Sequence, residues 1–250
     1  MHDKITSDIT VNNITYDEAI EYNQQSFTAF NAENSDFNGP IFFSCHFDGC
    51  HFKKSNLSSS RFFTACSFYN CTFEKCDMRA IGIGEDGSKF VKTTFKDCDF
   101  RGTALDRAHW VDCSFERCNL RDLTLHASNW INCRFTGVLR EIHFTGKGEP
   151  LLIDFENCKL DCVSFEHCTL TECVPPNQKF HHYVDFLKEK IERASLLLQT
   201  VDEPTRKIVT RRLKSYASMN EYIFNKKSLT EIEGVVVADI LARIFSLGDS

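Results

Sequence analysis

A large apolar residue returns every five positions over more than half of this chain, and this period constrains the fold more than any other feature. An α-helix repeats its face about every 3.6 residues and a strand every two, so a period of five fits neither. Short periods held over many residues indicate a solenoid, whose units bury their apolar faces only by stacking on one another. Four stretches carry the series: Phe37, Phe42, Phe47, Phe52, Leu57 and Phe62; Phe68, Phe73, Met78 and Ile83; Phe90, Phe95, Phe100, Leu105, Trp110, Phe115, Leu120, Leu125, Trp130 and Phe135; and Phe155, Leu160, Phe165 and Leu170.

A second series of uncharged, mostly small residues lies two positions before each large one. Cysteine is its commonest member, and eleven of the thirteen cysteines belong to it. A reduced thiol behaves as a small hydrophobic group. Both series are therefore predicted to point inwards, and the cysteines are interpreted as reduced, structural thiols in a reducing compartment.

The repeating unit resembles that of the pentapeptide-repeat family, in which a small residue, a polar one, and Leu or Phe precede two variable residues. The stretches that begin at Cys45 (Cys-His-Phe-Asp-Gly), Cys71 (Cys-Thr-Phe-Glu-Lys) and Cys113 (Cys-Ser-Phe-Glu-Arg) fit this pattern. The resemblance implies a mainly β solenoid, a right-handed four-sided β-helix with one pentapeptide on each side. Residues twenty apart would then stack. Trp110 and Trp130 would do so beside the small inward residues Ala108 and Ser128, which leave room for the indoles.

The chain divides into three predicted regions. Residues 1–26 form a small N-terminal cap, where Thr15 and Glu18 have the spacing of a capping box for a helix to about Gln25. Residues 27–173 form the β-helix, with loops at 83–89 and 137–150 where the period is interrupted. Residues 174–250 form an α-helical C-terminal subdomain that closes the end of the β-helix.

Three helices are predicted in that subdomain from a change of period. The first has apolar residues at helical spacing from Phe180 to Leu198. The second begins at Asp202 with Pro204 in its first turn, a position where proline is favoured. The third begins at Ser228, with Glu231 three residues later, and continues through Phe245.

Charge and composition exclude several classes of function. The formal net charge is -6, with about -4 on residues 1–26, -4 on 27–173 and +2 on 174–250, and both signs are interspersed. No basic patch suits phosphate binding, so direct nucleic-acid binding is not expected. The N-terminus lacks the apolar segment of a signal peptide, and no apolar run is long enough to span a membrane. A cytoplasmic location is expected, with export without a cleaved signal peptide as the alternative.

No catalytic, cofactor-binding or metal-binding motif stands out. Gly82, Gly84 and Gly87 match the spacing of a dinucleotide-binding loop, but the pentapeptide period resumes after them where a helix is required. His181, Asp185 and Glu189 lie four apart and are interpreted as a solvated helix face. We therefore predict a protein that is not an enzyme and that needs no cofactor or metal.

The two interruptions supply the predicted binding residues, because loops on a rigid scaffold often carry them. Family members that protect DNA topoisomerases from inhibitors resemble this chain in having two projecting loops. The candidate protein-binding residues are Glu85, Asp86, Arg140, Glu141, His143, Phe144 and Lys147.

We interpret the chain as a bacterial, non-enzymatic scaffold that binds a protein through its rod, its loops and its helical subdomain. One alternative is a DNA mimic that binds DNA gyrase or topoisomerase IV and protects it from inhibitors. Another is an exported effector or adaptor, and a homodimer through the C-terminal helices is also compatible with the sequence. Acidic clustering on one face of the rod would favour the DNA mimic, whereas an exposed apolar groove on the helices at 205–247 would favour the adaptor.

Overall fold

The computed structural model describes residues 5–83 and 87–248, and it shows a parallel β-solenoid of about eight turns followed by a helical region. Each strand pairs in parallel with the strand one coil before it and one coil after it. Three sides of the solenoid are sheets. The fourth is a column of single bridges that joins Thr15, Asp36, Asn56, Asp77, Asp99 and Asn119.

The strands are short because each side of a coil holds only one pentapeptide. The seven-stranded sheet contains Ile5–Ser7, Ser26–Thr28, His46–Asp48, Ser67–Tyr69, Ser88–Val91, Ala108–Val111 and Trp130–Ile131. The ten-stranded sheet contains Thr10–Asn12, Asn31–Glu33, His51–Lys53, Thr72–Glu74, Thr94–Lys96, Ser114–Glu116, Arg121–His126, Cys133–Thr145, Ile153–Asp161 and Ser164–Glu166. The four-stranded sheet contains Glu21–Asn23, Ile41–Phe43, Arg61–Phe63 and Gly82–Ile83. Short 3-10 helices lie at Leu105–Arg107 and Ala127–Asn129.

The period of five arises from a corner at the end of each pentapeptide. The large residue and the residue two before it point inwards, and the residue two after it adopts a left-handed conformation, as at Asn70 (φ 53°) and Asp112 (φ 53°). A left-handed conformation costs a non-glycine residue roughly 1–2 kcal/mol. The corner persists because it aims the next large side chain into the core.

Stacked aromatic rings fill the interior of the solenoid. Along the seven-stranded sheet, ring centroids are 4.4 Å apart between Phe68 and Phe90, 4.2 Å between Phe90 and Trp110, and 5.2 Å between Trp110 and Trp130. The predicted stacking of the two tryptophans is therefore confirmed. The predicted inward position of Ser128 is wrong: the 3-10 helix Ala127–Asn129 shifts the chain by one residue, so Ala127 is buried and Ser128 is exposed.

The eleven cysteines of the small series are all buried, as the sequence predicts. The Cys113 thiol, for example, lies 3.4 Å from the carbonyl oxygens of both Phe90 and Val111, so it contacts its own coil and the preceding one. Burial raises the pKa of the Cys66 thiol to about 11 and that of Cys158 to about 12. These thiols are protonated at neutral pH and pack as small apolar groups.

The N-terminal region belongs to the solenoid. Strands Ile5–Ser7, Thr10–Asn12 and Glu21–Asn23 pair with the next coil, so the helix predicted from Thr15 to about Gln25 is wrong. Tyr16 and Tyr22 stack on Phe37 and Phe42 at 5.6 and 5.1 Å. Tyr16 lies five residues after Val11, and Tyr22 lies five residues before Phe27. The period of five therefore extends into this region, although the polar residues around these positions conceal it in the sequence.

The interruption predicted as a loop at 137–150 is a strand over most of its length. Strand Cys133–Thr145 pairs with Arg121–His126, Ile153–Asp161 and Ser164–Glu166. Leu139, Ile142 and Phe144 point into the core. They follow the same alternation with a shifted spacing, which is why the period of five is lost there. In the other predicted loop, 83–89, strands end at Ile83 and begin again at Ser88, and residues 84–86 lie outside the described residues.

Four helices and a two-stranded antiparallel sheet follow the solenoid. The strands are His181–Val184 and Tyr222–Asn225, and the helices are α1 (Leu187–Gln199), α2 (Glu203–Tyr216), α3 (Lys226–Glu233) and α4 (Val235–Phe245). The third predicted helix is in fact two, because Gly234 (φ 86°) breaks it between α3 and α4. Asn225, and not Ser228, caps α3: its side chain accepts a hydrogen bond from the backbone N–H of Ser228. In the described part of the chain, no helix is long and apolar enough to cross a membrane.

The helical region closes the last coil through three buried polar side chains. The backbone N–H of Leu160 donates to Nε2 of His181 at 3.1 Å, and the carbonyl of Leu160 accepts from Nδ2 of Asn225 at 2.5 Å. The backbone N–H of Leu170 donates to the Glu221 carboxylate. An open coil edge exposes unpaired backbone groups. These three side chains satisfy such groups at the last coil, so the helical region acts as its cap.

Candidate functional site

The predicted binding residues do not form one site. Glu85 and Asp86 lie outside the described residues. Phe144 is a core residue, fully buried and stacked on Phe165 at 5.5 Å, so its predicted role as a binding residue is wrong. Phe144 belongs to strand Cys133–Thr145, whose shifted spacing has the appearance of a loop in the sequence.

The remaining candidates lie on the outer surface of the last coils, and most of them are occupied in contacts between coils. Arg140 pairs with Asp161 at 3.0 Å, and Glu141 pairs with Arg121 at 2.8 Å. Lys147 is exposed, and its backbone N–H donates to the Glu149 carboxylate. These residues are spread over the surface and do not converge on a common point.

A cleft of about 380 Å³ lies between the last coils of the solenoid and the helical region; we call it the junction cleft. The solenoid contributes His143, Cys162 and Glu166 to its lining, and the helical region contributes Arg212 and Ile232. Of the predicted binding residues that the structure describes, His143 alone lines this cleft.

His143 contacts two polar side chains at the cleft, in an arrangement that resembles a catalytic triad. Its Nδ1 contacts the hydroxyl of Ser164, and its Nε2 lies 3.1 Å from a carboxylate oxygen of Glu166. The same histidine–serine contact joins His46 and Ser67, at 2.9 Å, on a different side of the solenoid. In each pair the histidine and the serine are directly opposite each other on adjacent parallel strands. The contact is therefore explained as an ordinary cross-strand contact between neighbouring coils.

Cys162 also lines the cleft and is the exposed member of the thirteen cysteines. Partial burial and the nearby carboxylates of Asp161 and Glu141 raise the pKa of its thiol. A thiol with a raised pKa is a weak nucleophile at neutral pH. Among the described residues, no group of three or more histidine, cysteine, aspartate or glutamate side chains could hold a metal ion.

The helical side of the cleft continues into an exposed apolar corner at the break between α3 and α4. Its members are Ile232, Val235 and Val236, which are 53%, 57% and 57% exposed; we call them the apolar corner. Glu233, beside it, binds both Arg212 at 2.5 Å and Arg211 at 3.0 Å, so the corner is held against α2. Exposed aliphatic side chains that adjoin one another are typical of binding surfaces.

The charges of the solenoid are mostly paired along its length. On the ten-stranded sheet, outward residues alternate in sign from coil to coil, in the order Glu33, Lys53, Glu74, Lys96 and Glu116. On the bridged side, Asp77 and Asp99 are each bound by an arginine two residues later, Arg79 and Arg101, at 2.6 Å. These two sides therefore carry no continuous acidic stripe.

Acidic residues are concentrated instead in the first coils. Residues 5–52 contain seven carboxylates and no lysine or arginine. The sequence shows no lysine or arginine between Lys4 and Lys53. Net charges summed over 1–26 and 27–173 do not reveal this segment, because it crosses the boundary between the two regions. The apolar corner was also missed, because helical spacing alone does not show where a helix breaks.

Comparison with known protein families identifies a repeat region in this chain. Residues 40–130 match the family model described as a pentapeptide repeat region. Among curated proteins, none matches the chain in sequence. Among the solved structures that match part of the chain, two illustrate the low level of sequence identity. A trypsin-treated variant of QnrB1, a plasmid-mediated fluoroquinolone resistance protein, has 19% identity and a TM-score of 0.49, with 70% of this chain and 86% of that one covered.

The second structure is HetL of the cyanobacterium Nostoc sp. strain PCC 7120, a pentapeptide-repeat protein involved in the regulation of heterocyst differentiation. It has 10% identity and a TM-score of 0.41, with 68% of this chain and 86% of that one covered. The family match lies within the solenoid, where the five-residue period, the inward cysteines and the four-sided coils are all found. Residues 40–130 of this chain are therefore a pentapeptide-repeat region.

Proposed function

We propose that this protein is a non-enzymatic scaffold that binds a protein partner at the apolar corner and the adjoining junction cleft. The observation that carries this proposal is the exposure of Ile232, Val235 and Val236 beside a concave surface. The solenoid holds this surface in a fixed position, because the side chains of His181 and Asn225 are hydrogen-bonded to the backbone of Leu160. A rigid scaffold reduces the entropy that is lost on binding.

A rough magnitude follows from the exposed area. Full burial of a valine or isoleucine side chain is worth about 1.5–3 kcal/mol, so covering the exposed half of three of them contributes about 3 kcal/mol. Since 1.4 kcal/mol corresponds to a tenfold change in affinity, the apolar corner accounts for about a hundredfold in Kd.

The DNA-mimic alternative has less support. A mimic needs negative charge along the rod, and the ten-stranded sheet and the bridged side carry paired or alternating charges. We further propose a cytoplasmic location, because the buried cysteines are well suited to a reducing compartment.

The experiment that tests the scaffold is a pull-down from an extract of the source cells, with the intact protein and the double variant Val235→Asp/Val236→Asp. Aspartate is tolerated in the first turn of α4, where it interacts favourably with the helix dipole. The matched control is Val138→Asp, an exposed valine on the solenoid. We expect a partner that the intact protein and the control retain and that the double variant loses.

Retention of the same proteins by all three forms would overturn the proposed surface. Identification of gyrase or topoisomerase IV subunits among proteins lost from the double variant would assign the partner to the topoisomerase class. Loss from the Val138→Asp control alone would place the binding surface on the solenoid.

A further inference from the structure

Helix α2 presents a cationic face to solvent. Its opposite face is buried through Val209, Leu213 and Tyr216. Five basic side chains lie on the remainder of the helix, and within residues 5–83 and 87–248 two carboxylates form ion pairs with four of them. Glu203 pairs with Arg206 and Lys207, and Glu233 pairs with Arg211 and Arg212; the fifth is Lys214. The α2 face therefore carries an excess of positive charge in a chain whose net charge is -6.

The other end of the molecule has the opposite character. Asp8, Asp17, Glu18 and Glu21 are exposed on the first coil, and in the described part of the chain none of them is in an ion pair. The nearest basic residue that follows them is Lys53, which pairs with Glu33 at 3.3 Å. We call these four carboxylates the acidic end.

Exposed aliphatic side chains accompany the charge at both ends. Ile9 and Ile20 are 40% and 36% exposed beside the acidic end. At the opposite end, Glu233 holds the apolar corner against α2. Each end thus combines exposed aliphatic groups with an excess of one charge, positive on α2 and negative on the first coil.

We propose that the outward face of α2, with the apolar corner, binds the acidic end of a second copy of this chain. The stacked coils separate the two ends, so a single molecule cannot satisfy this contact within itself. Contact between unlike ends brings opposite charges together, whereas contact between two helical regions would place one α2 face against another. Charge complementarity therefore favours head-to-tail association over the homodimer through the C-terminal helices that the sequence left open.

The association depends on salt, because most of the charged groups are exposed. Interactions between exposed charges are screened beyond about 10 Å at 0.1 M ionic strength and beyond about 3 Å at 1 M. This contact shares the apolar corner with the partner-binding function proposed above, but it also requires the charges of α2 and of the first coil. Substitution of those charges therefore tests the self-association separately from partner binding. Either can fail without the other.

The test is sedimentation velocity on the full chain at about 0.02 M and about 0.5 M salt, over a range of protein concentrations. One variant neutralises the acidic end, Asp17→Asn/Glu18→Gln/Glu21→Gln. A second neutralises part of α2, Lys207→Gln/Arg211→Gln; Arg206 and Arg212 keep their contacts with Glu203 and Glu233. The matched control Lys89→Gln/Lys92→Gln removes the same charge from exposed positions of the solenoid.

We expect the intact protein and the control to form dimers and longer species at low salt as concentration rises. Each neutralised variant alone should remain monomeric. A mixture of the two should form a 1:1 heterodimer that does not extend further, because only one complementary pair of ends remains.

Three results would overturn the proposal. The intact protein could remain monomeric at low salt at every concentration. Association could persist in the two neutralised variants. Alternatively, the intact protein could bind polyglutamate through α2 without associating with itself, which would assign the surface to a different acidic protein.

Discussion

The large inward side chain of each pentapeptide is packed among the aromatic rings of neighbouring sides and coils. Phe115 is fully buried and lies within 5.8 Å of five other aromatic rings, counted between ring centroids: Phe95, Phe100, Trp110, Trp130 and Phe135. Glu116, the next residue, faces outwards. Two neighbours in one short strand therefore have opposite sensitivity to substitution.

We expect Phe115→Asp to unfold the solenoid. The substitution removes a buried aromatic, which costs about 3–5 kcal/mol, and also buries a carboxylate without a partner. The matched control Glu116→Gln should lower the free energy of unfolding by no more than about 1 kcal/mol, because it loses only an outward charge opposite Lys96. Urea denaturation followed by circular dichroism measures both, and similar stability of the two variants would contradict the inward assignment.

His181 makes the stability of the helical cap depend on pH. Its Nε2 accepts the backbone N–H of Leu160, and burial lowers the pKa of the imidazole below its ordinary value of 6.5. The neutral form is therefore the one that the folded state requires. Its contribution is complete above pH 6.5 and is lost as the pH falls through the lowered pKa, because the unfolded chain takes up the proton first.

Thermal unfolding between pH 7.5 and about pH 5 should therefore show a fall in Tm that is smaller in His181→Gln, since glutamine keeps an acceptor and does not titrate. His182→Gln changes the exposed neighbour in the same strand and should retain the full pH dependence. An identical fall in all three proteins would show that His181 does not titrate on unfolding.

At the scale of the element, an outward ladder of alternating charges joins five consecutive strands of the ten-stranded sheet. Glu74 lies directly between Lys53 and Lys96 in adjacent strands. Opposite charges at such positions contribute roughly 0.2–1 kcal/mol each, and like charges destabilise. Although each contribution is small, the ladder favours the observed order of strands. If one coil were skipped, residues of like charge such as Glu33 and Glu74 would become neighbours.

Glu74→Lys should therefore lower the free energy of unfolding by about 1 kcal/mol at low salt, and by less at 1 M salt, where the repulsion is screened. A second substitution, Lys96→Glu, restores opposite charge with Glu74→Lys but places a glutamate opposite Glu116. The recovery in the double variant should consequently be partial. Chemical denaturation at two salt concentrations measures this, and a loss that does not respond to salt would indicate a steric cause.

The sequence predicts elements well where one inward side chain decides the geometry. The stacking of Trp110 on Trp130 and the inward cysteines follow from the period, because a buried position tolerates few residue types. The strand at 137–145 was missed because Leu139, Ile142 and Phe144 change the spacing while keeping the inward alternation. The first coil was missed because a tyrosine or a valine can also occupy an inward position near the open end.

The candidate site was less predictable than the fold. His143 lines the junction cleft. The sequence predicts it in a loop, whereas the structure has it in strand Cys133–Thr145. The apolar corner depends on Gly234, whose positive φ ends α3 and directs Val235 and Val236 to solvent. Helical periodicity continues through this break, so the sequence alone gives one helix where there are two.

At the scale of the whole molecule, the solenoid and its cap form one structure that is joined by a few buried hydrogen bonds. Asn225 is central to this junction. Its Nδ2 donates to the carbonyl of Leu160 at 2.5 Å, and its Oδ1 accepts the backbone N–H of Ser228 at 3.0 Å, which begins α3. One side chain thus closes the last coil and starts the helix that carries part of the proposed binding surface.

Two substitutions separate these roles. Asn225→Asp keeps the acceptor for the Ser228 N–H but places a carboxylate oxygen against the carbonyl of Leu160, whereas Asn225→Leu removes both contacts. We expect a loss of about 1–3 kcal/mol for the unsatisfied carbonyl in either variant, and a further loss of about 1 kcal/mol for the missing helix cap in Asn225→Leu.

Because the aromatic core of the solenoid is untouched in both variants, the helical cap should open before the solenoid unfolds. Hydrogen exchange should show faster exchange in residues 181–245 and unchanged protection of the strands at 67–116. Equal acceleration in both regions would mean that rod and cap unfold as a single cooperative unit, and that the helical region is part of the core and not only its closure.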